Sequence, residues 1–350
     1  MTDYLVTDAD TIQWLKGLTA KAPVYFPMKH GTANRRFTKV DAKSDIRFEG
    51  YTPAVVPPVK LLVPAKDELL RFHRLDGGKT EVTTSVDTSF RIIAGVRPCD
   101  LKGIYLMDLF FKEGVNDPYY LARRENTAII GRACTEPCSD RAFCAAVDSL
   151  DHREGADIFL TPVKGGDVLM EVNTPLGEKV VKEAKIDLNP CEDGPARKVG
   201  AVFSRTDNFG RALKAAVPDI PAIIEKQWKS AVWDKHTERC FSCGTCNLVC
   251  PTCYCFDVKD DLDLDVESGH RERTWDGCML PHFAVVAGGH SFRPEPAGRQ
   301  RHRVKRKFEY LPEKFGHGAA CVGCGRCGRQ CTSHIDIFDI VNDLIEEGGR

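Results

Sequence analysis

The chain has 350 residues, 42% of them hydrophobic, which suffices for about two domains with buried cores and disfavours wholesale disorder. Its 49 basic and 50 acidic side chains nearly cancel, so no net field draws it to nucleic acid or anionic lipid. No run approaches the roughly 18 apolar residues of a membrane span, and the opening MTDYLVTDADTIQW lacks the basic-then-apolar layout of an export signal. The expectation is a soluble, cytoplasmic protein that engages neither nucleic acid nor membrane.

The predicted elements begin with a short strand at residues 60–63, closed by Pro64, and an apolar strand at 90–96 (FRIIAGV). Asp100 is expected to cap a helix running to Phe111, apolar around most of its circumference and stopped near Gly114. A further strand at 127–131 completes a βαβ unit, whose strands pair in parallel by default. Strands at 157–162 and 167–172 follow, separated by Gly165 and Gly166. From Ser204 the pattern turns helical, over 208–216, 221–233 and finally 335–346. These signals predict an α/β domain over 1–225. A mainly α-helical, ferredoxin-like domain follows over 226–350, with a long insertion between two cysteine motifs.

The 16 cysteines carry the chemistry. Disulfide frameworks belong mostly to small exported domains, so in a chain of this size and expected compartment the thiols point to metal. Cys240, Cys243, Cys246 and Cys250, followed by Pro251, form the complete bacterial ferredoxin run. Cys321, Cys324, Cys327 and Cys331 repeat it, with Thr332 in the proline's place. Gly244 in the first run, and Gly323, Gly325 and Gly328 in the second, let the backbone pass close to inorganic sulfide. In two-cluster ferredoxins the fourth cysteine of each run crosses to the other cluster. One [4Fe-4S] cluster is therefore expected on Cys240, Cys243, Cys246 and Cys331, the other on Cys321, Cys324, Cys327 and Cys250. Zinc fits poorly, because the third cysteine of each run is surplus to a tetrahedral site. The GxGxxG spelled by the second run is interleaved with its cysteines and follows no strand, so it does not signal a dinucleotide.

Cys99 and Cys134 follow adjacent parallel strands, and Cys138 and Cys144 lie on the next loop, an arrangement that could hold a third cluster. Cys253, Cys255 and Cys278 are expected to pack around the clusters, with substitute ligation as the alternative. The basic run Arg299, Arg301, Arg303, Lys305, Arg306 and Lys307 is expected to be a solvated or partner-facing surface, raising the potential of a cluster nearby.

Several segments carry a family resemblance: GVRPCDLKGI, DPYYLARREN, GRACTEPCSDRAFC, RCFSCGTCNLVCPTCYCFDV, WDGC, AGGHSFR, KFEY and CVGCGRCGRQC. From about residue 50 onward the chain resembles the electron-transfer β subunits of cytoplasmic sulfhydrogenases. It is also similar to an iron-sulfur subunit of anaerobic sulfite reductase and to that of heterodisulfide reductase-associated flavin oxidoreductases. The resemblance implies a relay in a hetero-oligomer of anaerobic metabolism, with no catalytic residues of its own. Electrons would pass between a flavin subunit handling NAD(P)H and a terminal redox subunit. The competing readings are a self-contained enzyme, with a substrate or flavin site in the first domain, and a cluster-containing sensor or scaffold.

Overall fold

Isoleucines alternate along the apolar strands so that both faces are buried. Ile93 and Ile129 lie in the core on one side, Ile92, Ala128 and Ile130 in the core on the other, as a central parallel strand covered by helices requires. In the computed structural model, which describes residues 2–48, 52–163, 165–205 and 209–349, these strands stand at the centre of an eight-stranded mixed sheet.

The sheet is built from β1 (Thr2–Thr7), helix α1 (Asp8–Leu18), β2 (Val24–His30) and β3 (Asn34–Val40). Next in the chain come β4 (Lys66–Arg74) and β5 (Thr80–Thr84), which belong to a second sheet. The first sheet resumes with β6 (Arg91–Val96), α2 (Pro98–Lys112), α3 (Pro118–Glu125) and β7 (Thr127–Arg132). It ends with β8 (Ile158–Pro162), β9 (Asp167–Val172), α4 (Pro175–Glu183), the short β10 (Asn189–Pro190) and α5 (Gly194–Arg205). Its order is β10-β1-β9-β8-β7-β6-β2-β3, with β2, β6, β7 and β8 mutually parallel. Helix α2 packs on one face through Leu101, Ile104 and Met107, and α1 on the other through Trp14, Leu15 and Leu18.

The cysteine-rich half contributes α6 (Ile220–Glu225), α7 (Val232–Thr237), α8 (Thr245–Leu248), β11 (Phe256–Leu262) and β12 (Ser268–Trp275). It continues with α9 (Pro296–Lys305), α10 (Leu311–Phe315), α11 (Arg326–Arg329) and α12 (Ile337–Gly348). A π-helical turn over Arg306–Tyr310 joins α9 to α10. Ile220, Ile224, Trp233, Val304, Phe308, Ile340 and Leu344 form its core. The hairpin β11-β12 pairs with β4 and β5, so this four-stranded sheet takes strands from both sides of residue 225. Its anchor is buried: Asp67 on β4 accepts from Arg273 on β12 at 2.7 Å and from Arg123 on α3.

Four local expectations are corrected. Lys60 and Leu61 end a 3-10 turn, Pro58–Leu61, and Leu62 and Val63 follow it, rather than forming a strand, because Pro57 and Pro58 fix the backbone entering it. Asp100 does not cap α2. Arg97 holds that position, with Pro98 in the first turn, and the Asp100 carboxylate is taken by Arg326. Of the helix expected at 208–216, Asn208 lies outside the described residues and 209–216 is not helical. That segment lies along α12, where Lys214 N–H donates to Asn342 and the Arg211 guanidinium covers Phe338. The helix expected at 221–233 is two, broken where the Ser230 hydroxyl caps Val232 N–H.

Arg326 and Asp100 tie the second cysteine run to the α/β sheet. Their bidentate pair measures 2.7 Å at both contacts, each side chain 2% exposed, and Arg326 Nε also donates to Ala54 O at 2.6 Å. Removing one partner strands a buried charge, so Asp100→Leu is expected to cost about 3–5 kcal/mol in urea unfolding. The Asp100→Leu/Arg326→Leu double variant should recover part of that loss. A double variant no more stable than the single would show that the pair is not the tie.

Candidate metal centre

The first cysteine run is an irregular loop that tightens into α8. Gly244 enters that helix with φ +73°, and a Cβ there would sit 2.8 Å from Leu280, so the turn demands glycine. The loop and the segment after the second run together enclose a cavity. Cys240, Cys243, Cys246 and Cys331 all line it, with Arg303 on the same wall. The structure thus brings the fourth cysteine of the second run to the first three of the other. Cys243 is exposed and lies near Phe241, which is 75% exposed, so this end of the centre reaches the surface.

The reciprocal set lies deeper. Burial pushes up the thiols of Cys321, Cys324 and Cys327, and Cys250 adds to each rise. Burial is the larger cause of each shift, and it takes Cys324 to about 12. Gly323 and Gly325 have φ of +63° and +70°, and a Cβ on either would come within 2.6 Å of the backbone at Phe143 or Arg141. Phe143 N–H donates to Gly323 O at 2.7 Å. The loop carrying Cys138 and Cys144 is therefore pressed against the second run.

Cys99, Cys134 and Cys144 are buried and Cys138 half-buried. Burial lifts Cys144 to about 12, and Cys134, Cys138 and Cys324 add to the rise. Cys138 is raised by burial and then by Cys134, and Cys99 by burial, then Asp100, with Cys324 and Cys138 adding less. Arg97 Nη1 donates to Cys134 Sγ at 3.5 Å. The four thiols singled out in the first half thus lie near enough to influence one another's ionisation, with the Cys138 and Cys144 loop against the second run.

The basic run departs most from its expectation. Arg299, Arg303, Lys305 and Lys307 are buried rather than solvated, because α9 and the π turn lie along the cysteines. Lys305 pairs with Glu309 at 2.5 Å. Burial alone would lower the Arg303 and Lys307 pKa values, and the neighbouring cysteines, once ionised, more than reverse it. Cys246 and Cys327 act most on Arg303, Cys250 and Cys253 on Lys307. Lys307 Nζ also donates to Thr252 O at 2.6 Å. Lys60, from the 3-10 turn, joins them: it donates to Cys253 O at 2.8 Å, and burial depresses its pKa against the pull of Cys253 and Cys250. Among the described residues no carboxylate pairs within 4.0 Å with Lys60, Arg303 or Lys307. Three buried cations facing thiols fit an anionic iron-sulfur group, because without a counter-charge their burial is strongly unfavourable.

The site is thus that of an iron-sulfur protein, and comparison with known proteins agrees. Residues 239–335 match the family described as a 4Fe-4S dicluster domain. Sulfhydrogenase 2 subunit beta of Pyrococcus furiosus is 32% identical over 325 residues, 92% of each chain. The chain belongs to the sulfhydrogenase β-subunit family, as an iron-sulfur electron-transfer subunit. No solved structure matches it. No described helix is long and apolar enough to cross a membrane.

Cysteine spacing marks the thiols. No pattern signals their cationic wall, because Arg and Lys on a helix read as surface until the fold buries them. With Cys144, Cys246 and Cys324 lifted to about 12, these thiols are protonated at neutral pH until iron displaces the proton. Anaerobic reconstitution of the apoprotein with ferrous iron and sulfide is expected to release protons and to go further toward completion as pH rises from about 7 to about 9. A yield independent of pH, with no proton release in a pH-indicator assay, would contradict the buried-thiol account.

Proposed function

We propose that this chain relays electrons through two [4Fe-4S] clusters, one on Cys240, Cys243, Cys246 and Cys331, the other on Cys321, Cys324, Cys327 and Cys250. The shared cavity that joins Cys331 to the first run carries the reading. Iron-sulfur clusters supply one-electron redox chemistry when bound. The chain's own part is to hold them, exclude water and set their electrostatics through Arg303, Lys307 and hydrogen bonds to sulfur. Its partners are a flavin subunit that takes a hydride from NAD(P)H and releases electrons singly, and a terminal catalytic subunit of hydrogenase, sulfite reductase or heterodisulfide reductase type. The relative's designation as a subunit supports such an assembly. The exposed Cys243 edge offers an exit for electrons.

The proximity of Cys99, Cys134, Cys138 and Cys144 supports a third cluster, which would extend the relay into the α/β domain. A second reading, a substrate or flavin site of its own, draws on a 650 Å³ cavity at the ends of the parallel strands. Arg97, Arg132, Thr135 and Cys138 line it, the position where open α/β sheets bind ligands.

Isolated without oxygen, the chain is expected to carry at least about eight iron atoms. Cys331→Ala should alter the electron paramagnetic resonance signal of the same cluster that Cys243→Ala alters. NAD(P)H should bleach the clusters only in the presence of the flavin subunit. Bleaching by NAD(P)H alone at the rate of the full complex would establish the second reading in place of the relay.

A further inference from the structure

Three cysteines stand outside both ferredoxin runs in the C-terminal half, and they are expected to pack as small side chains. Instead Cys253, Cys255 and Cys278 line a cavity of their own, closed by His302, Arg306 and Lys307. Their hydrogen bonding is that of sulfur held for charge. Asn247 Nδ2 donates to Cys278 Sγ at 3.4 Å and to Cys253 Sγ at 3.6 Å, and Cys278 N–H donates to Cys255 Sγ. Asn247 is itself fixed, since its Oδ1 accepts from Met279 N–H at 3.0 Å and a Cβ on Gly277 would strike it.

The surrounding charge is positive. Lys60 donates to Cys253 O and Lys307 to Thr252 O, neither pairing with a carboxylate among the described residues, and the Arg306 guanidinium is bonded to Tyr254 Oη. Free thiols are neutral and give these cations nothing to balance. His302 completes the wall, with its ring held neutral, the pKa brought to about 4 by burial and by Arg293 and Arg306. A neutral imidazole and three thiols able to give up their protons form a Cys3His set.

We propose that Cys253, Cys255, Cys278 and His302 hold an additional [4Fe-4S] cluster beside the two of the ferredoxin runs. Each thiol releases its proton to solvent as its sulfur binds iron, and the imidazole binds through an unprotonated nitrogen. The inference rests on the iron-sulfur reading of the chain, though not on how the eight motif cysteines divide.

The test uses the full chain, purified anaerobically and loaded with iron and sulfide. The Cys255→Ala/Cys278→Ala variant is expected to lose about four iron atoms per chain while keeping the signals of the motif clusters. In wild-type protein labelled with 15N-histidine, pulsed paramagnetic resonance of the reduced state should show a directly bound nitrogen, absent in His302→Ala. The labelled wild type decides the matter even if the double variant fails to fold. Unchanged iron content in the double variant, no nitrogen coupling in the wild type, or zinc in the site would overturn the proposal. A wild-type chain that takes up no iron at all would instead overturn the underlying relay reading.

Discussion

Buried positive charge that finds no carboxylate is the constraint around which the cysteine-rich half is organised. Lys60, Arg303 and Lys307 arrive from the loop before β4, from α9 and from the π turn, and all three face sulfur. Leaving such groups unpaired in a low-dielectric interior would cost several kcal/mol each, a large fraction of the stability of an ordinary domain. An anionic cluster and its thiolates remove that cost and are stabilised in return. Folding, cluster insertion and redox potential are thereby coupled through the same few side chains.

The two halves of the chain are built into each other. Arg326 sits between two cysteines of the second run, yet its carboxylate partner is in the first turn of α2. Strands β4 and β5 complete a sheet begun by the hairpin between the cysteine runs. Gly103 of α2 is in contact with Pro251, the residue after Cys250. A shift of the α/β sheet would be felt directly at the thiols, which suits a subunit whose electron path must hold its distances while partners bind.

The cysteine runs are legible because ligand spacing is a local property of the chain. So are β6, α2, β7 and the β8-β9 hairpin, where apolar periodicity and the Gly165-Gly166 turn act over a few residues. The basic run of α9 reads wrongly as surface because its burial depends on where distant thiols lie, which periodicity does not encode. The hairpin β11-β12 is hidden for a related reason: its acidic strand Phe256–Leu262 looks like a solvated loop until β4 supplies a partner for β12. Lys60 follows the same pattern, since only its approach to Cys253 gives a buried lysine a purpose.

The coupling between buried cations and clusters is open to a redox titration of the reconstituted Lys307→Met variant against wild type, monitored by electron paramagnetic resonance. Methionine keeps the bulk and removes the charge. The expected result is a more negative potential for the cluster held by Cys250, by a charge interaction of about 1–4 kcal/mol, with Lys307→Arg close to wild type. A potential that is unchanged or more positive in Lys307→Met would contradict the coupling.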